Sequence, residues 1–317
     1  MSITVRFSVV TFIDQNTTVF VLGSITELGR WKKTDKVNLK QSPITFRLQP
    51  GLEPSFWYQD VKISFGDKQS LNFEYKFARK QDGHALEWEG EGASHNRKHI
   101  LSLEDKTSSE LLVNGIYYLP VGIWIEKAGQ EDEFKHTSRF FSHVQQEKIL
   151  HTSQIMDNIW LGSCPQKRLH ILELKTLGIS AVINLQSTED VQRLCSRFYP
   201  HLEDIPRALK VVYKEEGLAY IWVHVKDLCS EARVEMLPQV VYLLHGMLKA
   251  GHKVYVHCNG GVGRSVAAVA GYLMYVLKWS PAKVAFHMCS KRPVSYIDGR
   301  ALSIAEKDFK LKFGEVS

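Results

Sequence analysis

Apolar and polar residues alternate at the start of the chain, where Ile3, Val5, Phe7 and Val9 are separated by Thr4, Arg6 and Ser8. That period of two gives a strand one buried face. Further short runs at Thr17–Leu22, Ser55–Ser64, Leu71–Lys80 and Lys98–Leu103 are divided by turn-prone pieces such as Gly66-Asp67 and Gln81-Asp82-Gly83. No long amphipathic helical pattern interrupts them, so residues 1–125 predict an all-β antiparallel sandwich. The next stretch, 126–150, is charged and polar (Lys127-Ala128-Gly129-Gln130-Glu131-Asp132-Glu133) without strong periodicity, and reads as a linker.

Over 151–317 the pattern changes. Apolar runs at Ala181–Leu185, Ala219–Val225 and Lys253–His257 alternate with helical segments. Leu237, Val240, Val241, Leu244 and Leu248 share one helix face that ends near Gly251. Ser280-Pro281 reads as an N-cap followed by a first-turn proline, and Leu302, Ala305, Phe309 and Phe313 mark a last helix with Gly314 just past it. This predicts an α/β/α domain with a mostly parallel central sheet.

A length of 317 residues, 44% hydrophobic and 23% charged, suits two globular domains and excludes a disordered or fibrous chain. The net charge of +6 fits an anionic substrate without demanding a nucleic acid. Five cysteines, an odd number without a CxxC pair, exclude a disulfide framework and a zinc site and point to a reducing compartment. Met1–Phe7 reads as a strand, not a signal peptide, and the longest mostly apolar run, Val266–Leu277, is too short to cross a bilayer. A cytoplasmic location is expected.

The candidate chemistry lies in His257-Cys258-Asn259-Gly260-Gly261-Val262-Gly263-Arg264-Ser265. A strand precedes it and a helix follows, so the loop amides converge on one point where the helix dipole adds positive potential. That point suits a phosphate dianion and the charge that grows on it during transfer. In this field the Cys258 thiolate becomes a nucleophile toward phosphorus. Arg264 can present two parallel N–H groups to phosphate oxygens. Ser265 can donate to the thiolate when it leaves, and His257 orients the loop from behind. No metal or cofactor is needed. The leaving alcohol needs a proton, and Asp227, placed just after the strand Tyr220–Val225, can supply it if that strand neighbours the Cys258 strand in a parallel sheet. Glu231 and Glu189 are weaker candidates. Cys164, Cys195, Cys229 and Cys289 read as structural thiols.

The His-Cys-x5-Arg-Ser pattern, together with Asn158-Ile159-Trp160-Leu161-Gly162-Ser163, resembles the dual-specificity branch of the protein-tyrosine-phosphatase superfamily. The resemblance covers about 155–315 and implies a cysteine-dependent phosphatase. Gly260 departs from it, because alanine is usual there.

The first half holds a second constellation: Gly23-Ser24-Ile25-Thr26-Glu27-Leu28-Gly29-Arg30-Trp31, then Glu74-Tyr75-Lys76-Phe77, Trp88-Glu89-Gly90 and Asn96-Arg97. Flat aromatic rings pack on the apolar faces of sugars while amides and charged groups take the hydroxyls. From the residues alone, Trp31 and Trp88 read better as core or half-buried aromatics. The order of the pieces over about 3–120, however, is similar to the starch-binding carbohydrate-binding module of family 20. The resemblance implies that Trp31, Lys76, Trp88 and Asn96 contact an α-glucan. A module of that kind ahead of such a phosphatase implies removal of phosphate monoesters from glycogen-like glucan and an association with glycogen. It is compatible with protein partners in glycogen metabolism and with a homodimer. No lysine or arginine lies between Cys258 and Arg264, unlike loops that serve highly charged inositol phosphates, and Trp222, Tyr296 and Val262 can wall a pocket for sugar rings. Tyr296 is a further glucan contact by resemblance. Two rival readings remain: a dual-specificity protein phosphatase localised to glycogen by its module, and a glycogen-bound adaptor for protein partners.

Overall fold

The computed structural model describes residues 2–13, 16–43, 48, 51–65, 69–102, 111–127, 133–201 and 203–316. The turn expected at Gly66-Asp67 and residues 128–132 of the charged stretch 127–133 lie outside them. The chain forms two compact units, Met1–Phe140 with Ser280–Val294, and Phe141–Trp279 with Ser295–Ser317.

The first unit is built on β1 (Ser2–Thr11), β2 (Thr17–Gly23), β3 (Ser55–Ser64), β4 (Ser70–Gln81) and β5 (Arg97–Ser102). β1 pairs antiparallel with β3 along its whole length, while β2 and β5 flank β4 in a second sheet. The alternation read from the sequence is the buried face: Val5, Phe7 and Val9 from β1 meet Val19 and Val21 from β2, and Phe73, Tyr75 and Phe77 from β4. Pairing is antiparallel except beside β1, where Ile116–Tyr118 and Gly122–Ile123 run parallel to it.

Two stretches differ from the sequence reading. The expected linker carries helix α1 (Glu133–Glu147), in which Phe140 and Val144 are buried. These two apolar positions, four apart, suffice for a helix face, but surrounding polar residues conceal them. The helix Pro281–Lys291, assigned from the sequence to 151–317, groups with the first unit. Its Phe286 packs edge-on against Phe56, Tyr58 and Tyr118. Periodicity shows which face of a helix is buried, not what covers it.

The second unit is a five-stranded sheet of β6 (Thr152–Met156), β7 (Ile159–Gly162), β8 (Ala181–Asn184), β9 (Ala219–Trp222) and β10 (Val254–His257), in the order β6-β7-β10-β8-β9. Only the β6–β7 pair is antiparallel. Its helices are α2 (Arg168–Thr176), α3 (Thr188–Cys195), α4 (Ile205–Glu215), α5 (Ser230–Lys249), α6 (Arg264–Gly271) and α7 (Gly299–Phe313). β8 and β10 are buried at every position, as a strand covered on both faces must be. Among the described residues no helix is long and apolar enough to cross a membrane.

Candidate active site and carbohydrate cleft

β10 ends at His257, and the chain turns through 258–263 into α6, which begins at Arg264. Cys258 is buried, with its Sγ 3.3 Å from Ser265 Oγ. Burial alone would push this thiol up, but the Arg264 guanidinium and the Ser265 hydroxyl and N–H outweigh it and hold the thiol below its ordinary value. His257 donates through Nδ1 to the Cys258 carbonyl at 3.2 Å. Burial, aided by the charge on Arg264, depresses its imidazole to about 3, so it stays neutral behind the loop. Gly261 has φ +68, and a Cβ there would meet the Gly162 backbone, 2.7 Å from its Cα and closer still to its carbonyl. Only glycine fits this crossing of loop and β7.

Arg264 is almost wholly buried. Its NH1 donates to Asp190 Oδ2 at 2.8 Å and to the Val225 carbonyl at 2.7 Å. Among the described residues Nε and NH2 find no hydrogen-bond partner, although NH2 lies 3.0 Å from Asp227 Oδ2 in an ion-pair contact. Buried donors of this kind call for an acceptor, and Cys258 sits close enough to help keep the guanidinium charged. An anion held over the cysteine sulfur answers both requirements.

The strand argument for Asp227 needs correction. β9 does not neighbour β10, because β8 lies between them. Register nevertheless levels the three strands, with Asn184 opposite both His257 and Trp222. Residues beyond all three strand ends therefore meet at one edge. Asp227 accepts from Asn259 Nδ2 at 2.9 Å and keeps one oxygen on the Leu228 N–H. The other acidic candidates sit at helix N-termini. Glu189 is held low by its own backbone N–H and the Ser187 hydroxyl, and Glu231 by its own N–H and Cys229, which suits neither to carrying a proton.

Sequence reasoning missed Asp190. Set at the start of α3 with Ser187 as its cap, it grips Arg264 and, at 2.8 Å, Arg193. Burial pushes its carboxyl up, but Arg193, Asn259 and Arg264 more than offset this and hold it below the usual range. An acidic residue five places past the predicted strand end at Leu185 was the only available signal. Tyr296 is half-buried beside the loop, its N–H donating to the Val262 carbonyl at 2.9 Å and the Arg233 guanidinium 5.5 Å from its ring. Trp222 Nε1 donates to the Gln186 carbonyl at 2.9 Å.

In the first unit Trp31, Lys76, Trp88 and Asn96 line one open cleft of about 760 Å³. The two indole rings lie 6.4 Å apart at 52° on a floor of Phe20, Leu22 and Ala78. Gly29, Arg30 and Trp31 all have positive φ (75°, 46° and 63°), a local strain that turns Trp31 into the cleft. Lys76 Nζ donates to the Gly92 carbonyl at 2.7 Å, and burial lowers its ammonium. Asn96 donates to Glu74 at 2.9 Å. Arg97 is not part of this lining. It closes a bidentate pair on buried Glu89, at 2.9 and 2.8 Å, behind the cleft. The cleft offers two half-buried aromatic rings, an amide and an ammonium, the parts a sugar ring needs.

The family model for the dual specificity phosphatase catalytic domain matches residues 159–298, and that for the starch binding domain matches 2–110. Laforin of Mus musculus is 42% identical over 313 residues, covering 94% of this chain and 92% of its own. Phosphoglucan phosphatase LSF1, chloroplastic, of Arabidopsis thaliana is 29% identical over 124 residues, 39% of this chain and 20% of its own. The putative tyrosine phosphatase 123R of Invertebrate iridescent virus 6 is 32% identical over 140 residues, 44% of this chain and 78% of its own. With a starch-binding half, a cysteine-phosphatase half and close identity along nearly the whole of a relative that the chain spans, this protein belongs to the laforin family.

Proposed function

We propose that this protein is a glucan phosphatase that binds glycogen-like α-glucan in the Trp31–Trp88 cleft and hydrolyses its phosphate monoesters at Cys258. The observation that carries the reading is the pairing, on one chain, of an aromatic sugar cleft with a buried arginine whose Nε and NH2 lack hydrogen-bond partners over a cysteine sulfur. The name of the Arabidopsis relative, phosphoglucan phosphatase, supports the same substrate class. So does the lack of a second cation between Cys258 and Arg264.

Substrate phosphate takes the Arg264 NH2 that Asp227 engages in this structure, and the loop amides hold its remaining oxygens. The Cys258 thiolate attacks phosphorus, an S–P bond forms, and the P–O bond to the glucan breaks as Asp227 gives its proton to the leaving oxygen. Water then attacks the phosphocysteine and yields its proton to the Asp227 carboxylate. The S–P bond breaks, inorganic phosphate leaves, and Ser265 stabilises the returning thiolate. Tyr296 borders this site as a glucan contact. The protein works in the cytoplasm on glycogen, where partner proteins of glycogen metabolism and a second copy of the chain are its candidate companions.

The test is phosphate release from phosphorylated glycogen or amylopectin beside a phosphopeptide, using wild type, Cys258→Ser and Trp31→Ala. The reading expects strong release from glucan that falls in Trp31→Ala, and no turnover in Cys258→Ser with glucan binding intact. Equal or better release from the phosphopeptide, indifferent to Trp31, would leave the module as an address only.

A further inference from the structure

A line of side-chain amides runs under the phosphate loop. Asn184 Nδ2 donates to the Tyr220 hydroxyl at 2.9 Å, and Asn184 Oδ1 accepts the Gln186 N–H at 2.9 Å. Trp222 Nε1 fastens the Gln186 carbonyl from β9. Gln186, fully buried, donates through Nε2 to Asn259 Oδ1 at 2.8 Å, and Asn259 donates through Nδ2 to Asp227 Oδ2. The Asn184 link ends on the Gln186 backbone N–H, while the links from Gln186 to Asn259 and from Asn259 to Asp227 join side chains head to tail. An amide presents a donor at one end and an acceptor at the other, so the end that Gln186 occupies decides which end of Asn259 faces Asp227.

We propose that Gln186 is a positioning residue for Asp227, acting through Asn259. It fixes the Asn259 amide with its N–H toward the carboxylate. The inference rests on the reading of Asp227 as the general acid. With the Gln186 donor in place, turning Asn259 over would set its oxygen against the carboxylate and leave two donors facing each other at Gln186. Both contacts are repulsive, and the one at Gln186 is buried, where an unmatched polar pair is costly. When phosphate takes the Arg264 NH2 from Asp227, Asn259 is the side chain that still tethers the acid over the loop mouth. Without Gln186 only the carboxylates of Asp190 and Asp227 orient the amide, and the acid's tether loosens while Cys258 and the loop backbone stay as they are.

Two leaving groups of different acidity separate the proposal from a general loss of structure. A sugar hydroxyl is a poor leaving group and needs the acid, whereas a fluorinated umbelliferyl phosphate departs without it. Gln186→Met keeps the volume and removes the donor. Its kcat/KM should fall roughly ten- to hundredfold on phosphorylated glucan and stay within about twofold of wild type on difluoromethylumbelliferyl phosphate. Orthovanadate should inhibit it as it inhibits wild type. Asp227→Asn should show the same split, larger. A split in Asp227→Asn with none in Gln186→Met, or with an equal loss on both substrates, overturns the relay and leaves the acid standing. No split in Asp227→Asn overturns the acid reading and the relay with it. Should Gln186→Met fail to fold, Gln186→Leu removes the same Nε2 donor with another apolar side chain. It must show a split in the same direction, and an unsplit profile there overturns the proposal.

Discussion

One methyl group added at either of two adjacent glycines should have opposite consequences. At Gly261 an alanine Cβ would stand 2.7 Å from the Gly162 Cα and closer to its carbonyl, where real Cβ atoms keep at least 3.0 Å. Its obstacle is backbone, fixed by the pairing of β7 with β10, and cannot swing aside. The residue also holds φ +68, which costs a non-glycine residue roughly 1–2 kcal/mol before any clash. The loop amides must therefore shift on the order of 1 Å, and a misplacement of that size costs about 10²-fold in rate. At Gly260 the backbone lies outside the left-handed region, and a Cβ would meet Phe141 Cδ2 at 3.0 Å and Val262 Cγ2 at 3.4 Å. A ring edge can yield by a few tenths of an ångström, and alanine narrows the unfolded ensemble by about 0.4–1 kcal/mol. Gly260→Ala is expected to leave kcat/KM on an aryl phosphate within about threefold of wild type, while Gly261→Ala lowers it about a hundredfold or more and weakens vanadate inhibition in parallel. The assay is initial-rate hydrolysis of one aryl phosphate at fixed pH, with melting temperatures to confirm folding. A Gly261→Ala enzyme that matches Gly260→Ala would refute the claim that this crossing shapes the phosphate cradle.

Two further outcomes follow from the buried titrating groups. Ser265→Ala removes a donor that helps hold the Cys258 thiol low, so the acidic limb of aryl phosphate hydrolysis should move to higher pH. Alkylation of Cys258 by iodoacetamide against pH reads the same change, and an unmoved limb would count against it. His257 and His170 are held at about 3 and about 4, burial being the leading cause at both, against an ordinary 6.5. The unfolded chain takes up these protons near pH 6.5 and the folded one only near 4 and 3. Stability should therefore fall as pH drops through that window, by up to about 1.4 kcal/mol per unit for each histidine. Urea midpoints at pH 7.5, 6 and 5 check this, and His170→Gln should flatten the slope.

The nucleophile side of the site was legible because it is local. Cys258, the loop and Arg264 fall within seven residues, and strand–loop–helix order alone makes their amides and charges converge. Trp31, Lys76, Trp88 and Asn96 are scattered over 66 positions of sequence, counted from 31 to 96. Their composition alone favoured an ordinary core, and it was the order of the pieces that pointed to one cleft. What holds the reactive groups in place was not legible. Asp190 and Gln186 lie about 70 residues before the loop they serve, and reach it only because β8 inserts between β9 and β10. Strand order in a parallel sheet is a long-range property that no local period encodes.

That insertion explains how Asp227 comes to lie beside the phosphate loop although β9 and β10 do not touch. The reasoning for Asp227 assumed that β9 and β10 touch, but the edge of a parallel sheet collects residues from every strand at one level, whether neighbours or not. Trp222, Asn184 and His257 share a level through two registers, so the residues that follow each strand face one another across the interposed β8. The inserted strand also supplies what two adjacent strands could not. Its own continuation brings Gln186 against Asn259, and the cap of α3 brings Asp190 against Arg264. One strand placed between β9 and β10 thus carries the groups that bond to both sides of the site, and Asn259, bonded to Gln186 and to Asp227, joins them.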